Sequence, residues 1–567
     1  MAQMTERASF KKIMRRWQEM KAIRLPREAE WQQIADYFLP RKNFNVETVK
    51  GGTIPRKVMT TVPQRALGLF ASLLVGYLAD PTRPFLKPNV TQGLISARRS
   101  KVIDREAADY LDDLAWSVFD RFMLAKAGGY KMLNAMGLEL GAFGTAIGWV
   151  GHKRGFGPRY MTRPLRACWI DVDDEDVVNT VYYEFCLSLE EVFRRYPDGA
   201  KANVKLGELY REEKNWGKKI RLLHCVEPRH GGEVDAIASR KPYAETVIAH
   251  EYEGAVLAEG GYDTFPYAVP RLGSVEGSPY GQGLAWVALP AAIALNRLQD
   301  IIEYGVGAQA APQLFVASRL FKKPSRELGA FNYFDPKLLG FSRLTDLVQA
   351  MPTGANPLTA VQYMDILERW VKEPFNIDWV QLRESGNVTA TEIDYRKRLN
   401  LTGSTGLLVS VDRDLMVVIG DRTLEIMIKE NMVDAPPESL AGVHVDWDFA
   451  GPIAIAQQMN QVDAIDRLMV MAQQAAAVDA DSVAILALEE GLRLAAEALG
   501  APPTVTRSRV DYDNIIQLRQ QQRQEDRDAQ NAQLAAQAVR DAGQGAATMA
   551  NAGTGAGAGG QPMAMAA

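Results

Sequence analysis

TFPYAVPRLGSVEGSPYGQGLAWVALPAAIALNRLQDII, residues 264–302, changes character within itself. It opens as a Pro-Tyr-x-x-Pro segment (Pro266 to Pro270), passes through a glycine-punctuated turn (Gly277 to Gly281), and runs after Gly283 into an apolar, alanine-rich stretch. Proline biases the residue before it towards extended backbone, and glycine admits the left-handed conformations that tight turns need. The stretch therefore reads as strand, turn and helix, the helix covering 282–311. Upstream, residues 158–270 are β-rich: CWIDV, NTVYYEFCL, KIRLLHCVEP and ETVIAHEYEG are short runs of β-branched and aromatic residues, interrupted by turn signals at Pro197-Asp198-Gly199 and Gly231-Gly232. Downstream, 312–356 is irregular. Residues 357–379 are helical, with Val361, Met364, Leu367 and Val371 on one face. A polar loop, 380–390, follows, then a long helical stretch, 390–432, with breaks at Gly403 and Gly406. The expected class is mixed α+β, dominated by helix.

Towards the N-terminus, residues 5–40 form a helix-rich entry. Phe10, Ile13, Met14 and Trp17 recur at helical spacing with Lys11, Lys12, Arg15 and Arg16 between them, a basic run that reads as a solvated face, with nucleic-acid contact as the alternative. Residues 63–79 make an apolar helix with Pro63 in its first turn. Its apolar run, Ala66 to Ala79, falls short of the roughly 18 residues a bilayer span needs, so its expected place is a buried helix. Residues 101–124 carry one stripe, Ile103, Ala107, Leu111, Leu114, Val118 and Phe122. Residues 130–151 repeat glycine at 137, 141, 144, 148 and 151, a spacing for close helix packing or for a helix passing into a strand. Towards the C-terminus come a strand at 443–452, alanine-rich helices at 453–499, a polar Gln/Ala helix at 511–542, and a Gly/Ala/Met tail from Gly543 that cannot bury enough apolar area to order itself.

The length of 567 residues implies roughly three or four structural units. A formal net charge of −4 argues against a protein that coats nucleic acid over its whole surface, while leaving room for local basic patches. The three cysteines, Cys168, Cys186 and Cys225, form no CxxC pair, as expected of reduced thiols in a chain made in the cytoplasm. The N-terminal MAQMTERASFKKIMRRW is charged where a secretion signal needs an apolar region.

Catalytic constellations are sparse. No GxxxxGK[ST] loop is present to cradle a nucleotide phosphate, and no serine sits in a GxSxG setting. His224, Cys225 and His230 lie close in sequence but match no usual zinc spacing, and His224 and Cys225 as strand neighbours point to opposite faces. HEYEG after His250 lacks the second histidine of HExxH. The acidic run Asp171, Asp173, Asp174, Glu175 and Asp176 reads as a solvated turn. The alternative is a divalent-cation site, making the chain a metal-dependent nuclease that depends on Asp173 and Asp174. The expectation is a structural protein without catalysis, cofactor or bound metal.

Five segments, in order, resemble the portal (head-to-tail connector) family of short-tailed, podovirus-type bacteriophages. They are PQRALGLFASLLVGYLADPTRPFLKPNV (63–90), MLNAMGLELGAFGTAIGWV (132–150), the opening stretch at 264–302, RESGNVTATEIDYRKRLNLTGSTGLLVSVDRDLMVVIGDRTLEIM (383–427) and FAGPIAIAQQMNQVDAIDRLM (449–469). The resemblance implies a portal-type subunit: a wing over 1–281 (β-rich at 158–270), stem helices at 282–311 and 357–379 flanking a clip at 312–356, and a tunnel loop at 380–390. A long helix returning to the wing at 391–452, a crown at 453–504, a barrel helix at 505–542 and a disordered tail at 543–567 complete it. It further implies a homo-oligomeric, dodecameric ring at the capsid vertex of the virion. Double-stranded DNA would pass through the ring during genome packaging and ejection, and terminase, a tail adaptor protein and the major capsid and scaffolding proteins would be partners. Arg383 and Asn387 are the channel candidates. In the clip, Lys322, Lys323, Arg326, Lys337 and Arg343 either face DNA or the adaptor or serve surface solubility. A tail or adaptor ring is the alternative within the same biology.

Overall fold

A computed structural model describes residues 2–40, 58–90, 105–229, 241–310 apart from Glu253 and Glu276, 314–316, 348–350, 357–375, 411–440, 445–449, 464–472, 474, 488–498 and 509–553. Two compact units are present, Met1–Ala456 and Gln457–Ala567.

In the first unit, α1 (Ala2–Phe38) leads into α2 (Val62–Leu78), β1 (Leu86–Val90), α3 (Arg105–Met123) and α4 (Gly129–Phe143). The glycine repeat serves both expected purposes. Gly137 and Gly141 let α4 lie directly on α2: a Cβ at Gly137 would stand 3.2 Å from the Ala71 Cα, and one at Gly141 would meet the Phe70 and Leu67 side chains. Gly144 then caps the helix in left-handed geometry, φ 77°, and the chain turns into β2 (Ile147–Lys153). β2 pairs with β3 (Gly157–Arg163), which is followed by β4 (Cys168–Val172) and β5 (Val178–Ser188).

Within the β-rich region the chain inserts α5 (Leu189–Arg195), α6 (Pro197–Ala202) and α7 (Val204–Tyr210) before β6 (Lys219–Pro228), β7 (Tyr243–Ile248) and β8 (Val256–Tyr262). The Pro197-Asp198-Gly199 signal thus opens a helix instead of closing a turn, because proline at the first helical position loses no hydrogen bond. Gly199 lets that helix press on β8, where a Cβ would stand 2.3 Å from the Leu257 carbonyl oxygen. Strands β4 to β8 form an antiparallel sheet in sequence order, and β9 (Tyr267–Ala268) joins β2 in a second sheet ordered β3-β2-β9. Strand alternation gives the larger sheet two buried faces. Trp169, Tyr182, Leu223, Cys225 and Ile248 pack under Phe10, Ile13, Trp17 and Met20 of α1. Cys168, Ile170, Val181 and Val226 face the main core with Trp31, Phe143 and Tyr280.

The hairpin β10 (Ser274–Val275) and β11 (Ser278–Gly281) delivers the chain into α8 (Leu284–Ala310). Beyond it, β12 (Leu314–Val316) pairs antiparallel with β13 (Val348–Ala350), and α9 (Pro357–Lys372) returns. After Lys372 the helix tightens into a 3-10 turn, Glu373–Phe375, since Pro374 disfavours helical backbone at the residue before it. Met364 packs against the core and Leu367 and Val371 are buried within it, but Val361 is 48% exposed. Three positions before Met364 rotates about 60° off that stripe and onto its edge. A π-helical turn, Asp412–Val417, feeds α10 (Val418–Lys429), and β14 (Val445–Phe449) closes the unit by pairing with β1.

In the second unit, residues 464–472 are helical, α11 spans Leu488–Ala498 and α12 spans Arg509–Gly553. α12 therefore continues beyond Gly543, where the composition led us to expect a tail without structure. Alanine, the best helix former, supplies four of the eleven residues from Gly543 to Gly553, against three glycines that each cost roughly 1 kcal/mol.

Candidate functional site

The strand–turn–helix stretch is held by backbone packed directly on backbone. Leu272 N–H donates to the Gly144 carbonyl (2.8 Å), Gln282 N–H to the Leu272 carbonyl (2.7 Å), and Gly281 N–H to Thr145 Oγ1 (2.9 Å). A Cβ on Gly144 would lie 2.3 Å from the Gln282 carbonyl carbon, and one on Gly283 would lie 2.3 Å from the Ala142 oxygen. Tyr280, between these glycines, accepts from the Ile170 N–H (3.2 Å) and meets Trp31 edge-on at 5.2 Å. Arg271, 6% exposed, pairs with Asp176 at 2.9 Å. This glycine knot fixes where α8 starts and how it leaves the body.

Helix α9 is anchored at its far end. Phe375 is buried between Phe38 of α1 (5.9 Å) and Phe70 of α2 (6.0 Å). The last turn of α9 lies against the first turns of α8, so the two helices run antiparallel, and the β12–β13 ribbon continues from their free end. The pair carries Arg297, Arg369 and Lys372 against Asp300, Glu303, Asp365 and Glu368, which leaves it close to neutral. It also exposes large apolar residues: Val287, Ile301 and Tyr304 on α8, and Tyr363, Ile366 and Trp370 on α9. Periodicity alone pointed to none of these as functional. The available signal is that both helices are apolar over more of their circumference than one buried stripe requires.

Of the candidate residues read from the sequence, Arg383, Asn387, Lys322, Lys323, Arg326, Lys337 and Arg343 all lie outside the described residues. In the acidic run Asp171, Asp173 and Asp176 bond within the fold, while Asp174 and Glu175 are exposed in the turn between β4 and β5. Asp171 pairs with Arg16, Asp173 Oδ1 accepts from the Glu175 and Val177 amides, and Asp176 holds Arg271. Among the described residues no group of three or more His, Cys, Asp or Glu side chains is placed to hold a metal ion. Cys225 faces α1, where burial pushes its thiol well up. His224 faces the other way and bonds to the Tyr267 hydroxyl (2.6 Å) and Glu245 (3.0 Å), joining the two sheets. His250 meets Glu184 at 2.8 Å.

These contacts give a pH expectation. Burial pushes the Glu245 carboxyl up, but hydrogen bonds from His224 and Tyr262, with Arg422 nearby, outweigh it and hold the group below the ordinary carboxylate range. Burial likewise opposes, and His250 outweighs, at Glu184. A folded carboxylate with a depressed pKa adds stability above its unfolded value and loses that contribution as pH falls through the folded one, because the unfolded chain takes up the proton first. Melting temperature should therefore drop steeply from about pH 5 to about pH 3, and more shallowly in the Glu184→Gln/Glu245→Gln double variant. Parallel pH profiles for the two proteins would refute the assignment.

The family model described as "Bacteriophage head to tail connecting protein" matches residues 10–506, nearly the whole first unit and part of the second. The chain belongs to this family. Among its relatives, a "Probable portal protein" of Bordetella phage BPP-1 is 24% identical over 485 residues, covering 83% of each chain. The "Portal protein" of Salmonella phage epsilon15 is 20% identical over 552 residues, covering 93% of this chain and 94% of that one. A chain from a structure titled "Virion of native gene transfer agent (GTA) particle" aligns with a TM-score of 0.36 and 10% identity, covering 76% of this chain and 87% of that one. This head-to-tail connector is a helix-rich α+β protein, and among its described residues no helix is long and apolar enough to cross a membrane.

Proposed function

We propose that this connector is a portal subunit that assembles into a dodecameric ring at the capsid vertex of the virion and conducts double-stranded DNA during packaging and ejection, without catalysing a reaction. The family match across residues 10–506 carries this reading. On it, α8 and α9 are the stem, residues 312–356 the clip and residues 380–390 a tunnel loop, with the wing before the stem and the crown and barrel after residue 452. Terminase, a tail adaptor and the capsid and scaffolding proteins are the partners that meet its surfaces. The near-neutral helix pair suits a conduit. Each phosphate neutralised by a fixed cation adds affinity, so a strongly basic bore would grip DNA that must slide.

Electron micrographs of the purified chain should show closed rings with a central hole, formed without nucleotide. Monomers alone at every concentration and salt would overturn the reading. Within the ring, Arg383→Glu is expected to leave assembly intact and impair DNA packaging or retention. Normal packaging would remove Arg383 from the channel, and loss of rings would place it at the subunit interface.

A further inference from the structure

We propose that Arg159 and Arg163, at the seam between the two sheets, form a binding site for a small phosphate, either the free ion or a phosphate monoester. The inference goes beyond the conduit reading and does not depend on it. Pairing register puts Ile147, Trp149 and Gly151 of β2 on the same face as Arg163, Met161 and Arg159 of β3, because opposed residues point the same way and alternate residues share a face. The other face, with Val150 and Tyr160, packs with Met132 and Met136 of α4. On the first face Gly151 has no side chain and the Trp149 ring fills its place: a Cβ there would stand 2.1 Å from the ring. The indole thus reaches from its own register position, opposite Met161, to the position opposite Arg159. The Arg163 guanidinium lies 4.7 Å from that ring and 4.5 Å from the ring of Tyr183 on β5, flanked by one aromatic from each sheet. Both arginines therefore border one indole.

Charge identifies the ligand. Four other arginines drawn into the fold are paired with carboxylates: Arg16 with Asp171 and Glu227, Arg24 with Glu28, Arg271 with Asp176, and Arg422 with Glu425. Arg159 and Arg163 are half-buried and meet no carboxylate among the described residues. Their Nε–H groups and the indole N–H of Trp149 are enclosed without an acceptor. Glu245, which shares the neighbourhood of Tyr196 with Arg163, is already engaged by His224 and Tyr262. Arg195, exposed, lies 5.7 Å from the Tyr196 ring and adds a third cation near the same seam. A partly desolvated cation without a counter-charge is costly, so an anion is favoured there. A guanidinium matches an oxyanion through two parallel N–H···O bonds. Cations gathered on one face with no acid beside them balance a dianion better than a monoanion, which favours phosphate over a carboxylate. The rings cover the Nε atoms and leave the terminal nitrogens to carry the contact. Recessed among half-buried side chains, these are easier for a small ion to reach than for the backbone of a rigid duplex.

The test uses the full-length chain, with inorganic phosphate as the probe and chloride at matched ionic strength as the control, read by titration calorimetry and by melting temperature. Phosphate should bind saturably and raise the melting temperature, and chloride should do neither. Arg163→Gln is expected to weaken phosphate binding at least tenfold and Arg159→Gln at least threefold. Arg154→Gln, exposed at the tip of the same hairpin, should change it less than twofold. Arg163→Lys keeps the charge without the fork and should recover only part of the loss. If circular dichroism shows that Arg163→Gln is unfolded, Arg159→Gln carries the comparison. A wild-type chain with no saturable phosphate binding would overturn the site and leave Arg163 as a cation–π tie between the sheets. Equal weakening in all three glutamine variants would overturn it too, as a response to net charge alone. Binding of a short DNA duplex that phosphate cannot displace and that Arg163→Gln abolishes would overturn the small-ligand assignment.

Discussion

Gly144→Ala is expected to destabilise the protein by about 3 kcal/mol or more, and Gly283→Ala by a similar amount. At Gly144 two penalties coincide. The residue holds φ at 77°, where an L side chain is strained, and the new methyl would sit 2.3 Å from the Gln282 carbonyl carbon and 2.4 Å from the Gly283 nitrogen. At Gly283 the obstacle is the Ala142 oxygen at 2.3 Å, again backbone. A flexible side chain could swing aside, but these atoms cannot move without breaking the Leu272–Gly144 and Gln282–Leu272 hydrogen bonds. Gly155→Ala is a matched control: its φ is 73°, but nothing lies within 4 Å of the added carbon, so it should cost only the conformational part, about 1 kcal/mol. Denaturant unfolding of the three variants separates the terms. Equal losses at Gly144 and Gly155 would mean that the knot is not close-packed in solution.

Trp31→Ala should cost about 3–5 kcal/mol. The side chain is 2% exposed and touches three separate elements: its own helix α1, Phe143 at the end of α4 (6.3 Å, edge-on) and Tyr280 before α8 (5.2 Å, edge-on). Truncation leaves a cavity bounded by three elements that cannot collapse together, because the glycine knot fixes two of them. Trp31→Phe keeps a ring on both aromatic partners and is expected to recover more than half of the loss. In proteolysis, Trp31→Ala should also expose the α1–α2 region, residues 2–78, before the β4–β8 sheet. A loss below about 1 kcal/mol would show that the site relaxes freely and that Trp31 is peripheral to the core.

Much of the fold was legible in the sequence. The Pro266-Tyr267 strand and the helix after Gly283 are specified locally, because proline, glycine and alanine act through backbone conformation that needs no tertiary partner; of the expected Gly277–Gly281 turn only Gly277 turns, while Ser278–Gly281 is β11 paired with β10. The β-rich region was legible as composition, whereas α5 to α7 within it were not. Those helices are only six or seven residues long, too short to be stable alone, and they exist because Leu189, Val192, Ala200 and Leu206 pack on β6 and on Leu257 of β8. The family, too, was legible, since the order of moderately specific segments survives where individual positions do not.

Tertiary structure decided what those elements do to one another. From sequence, Asp171, Asp173 and Asp176 had two readings, cation site or solvated turn. The run is the exposed turn between β4 and β5, as the second reading has it, and contacts with Arg16, backbone amides and Arg271 add structural work through partners up to 155 residues away. Periodicity placed an apolar stripe on α9 without telling that Tyr363, Ile366 and Trp370 beside it are exposed, because one sequence does not reveal how wide a face the rest of the chain can cover. Sequence by itself determined the order of helices and strands and the positions where backbone must approach backbone. Only the folded chain determined which apolar faces are buried and which remain open, since burial depends on what arrives from distant parts of the chain and local conformation does not.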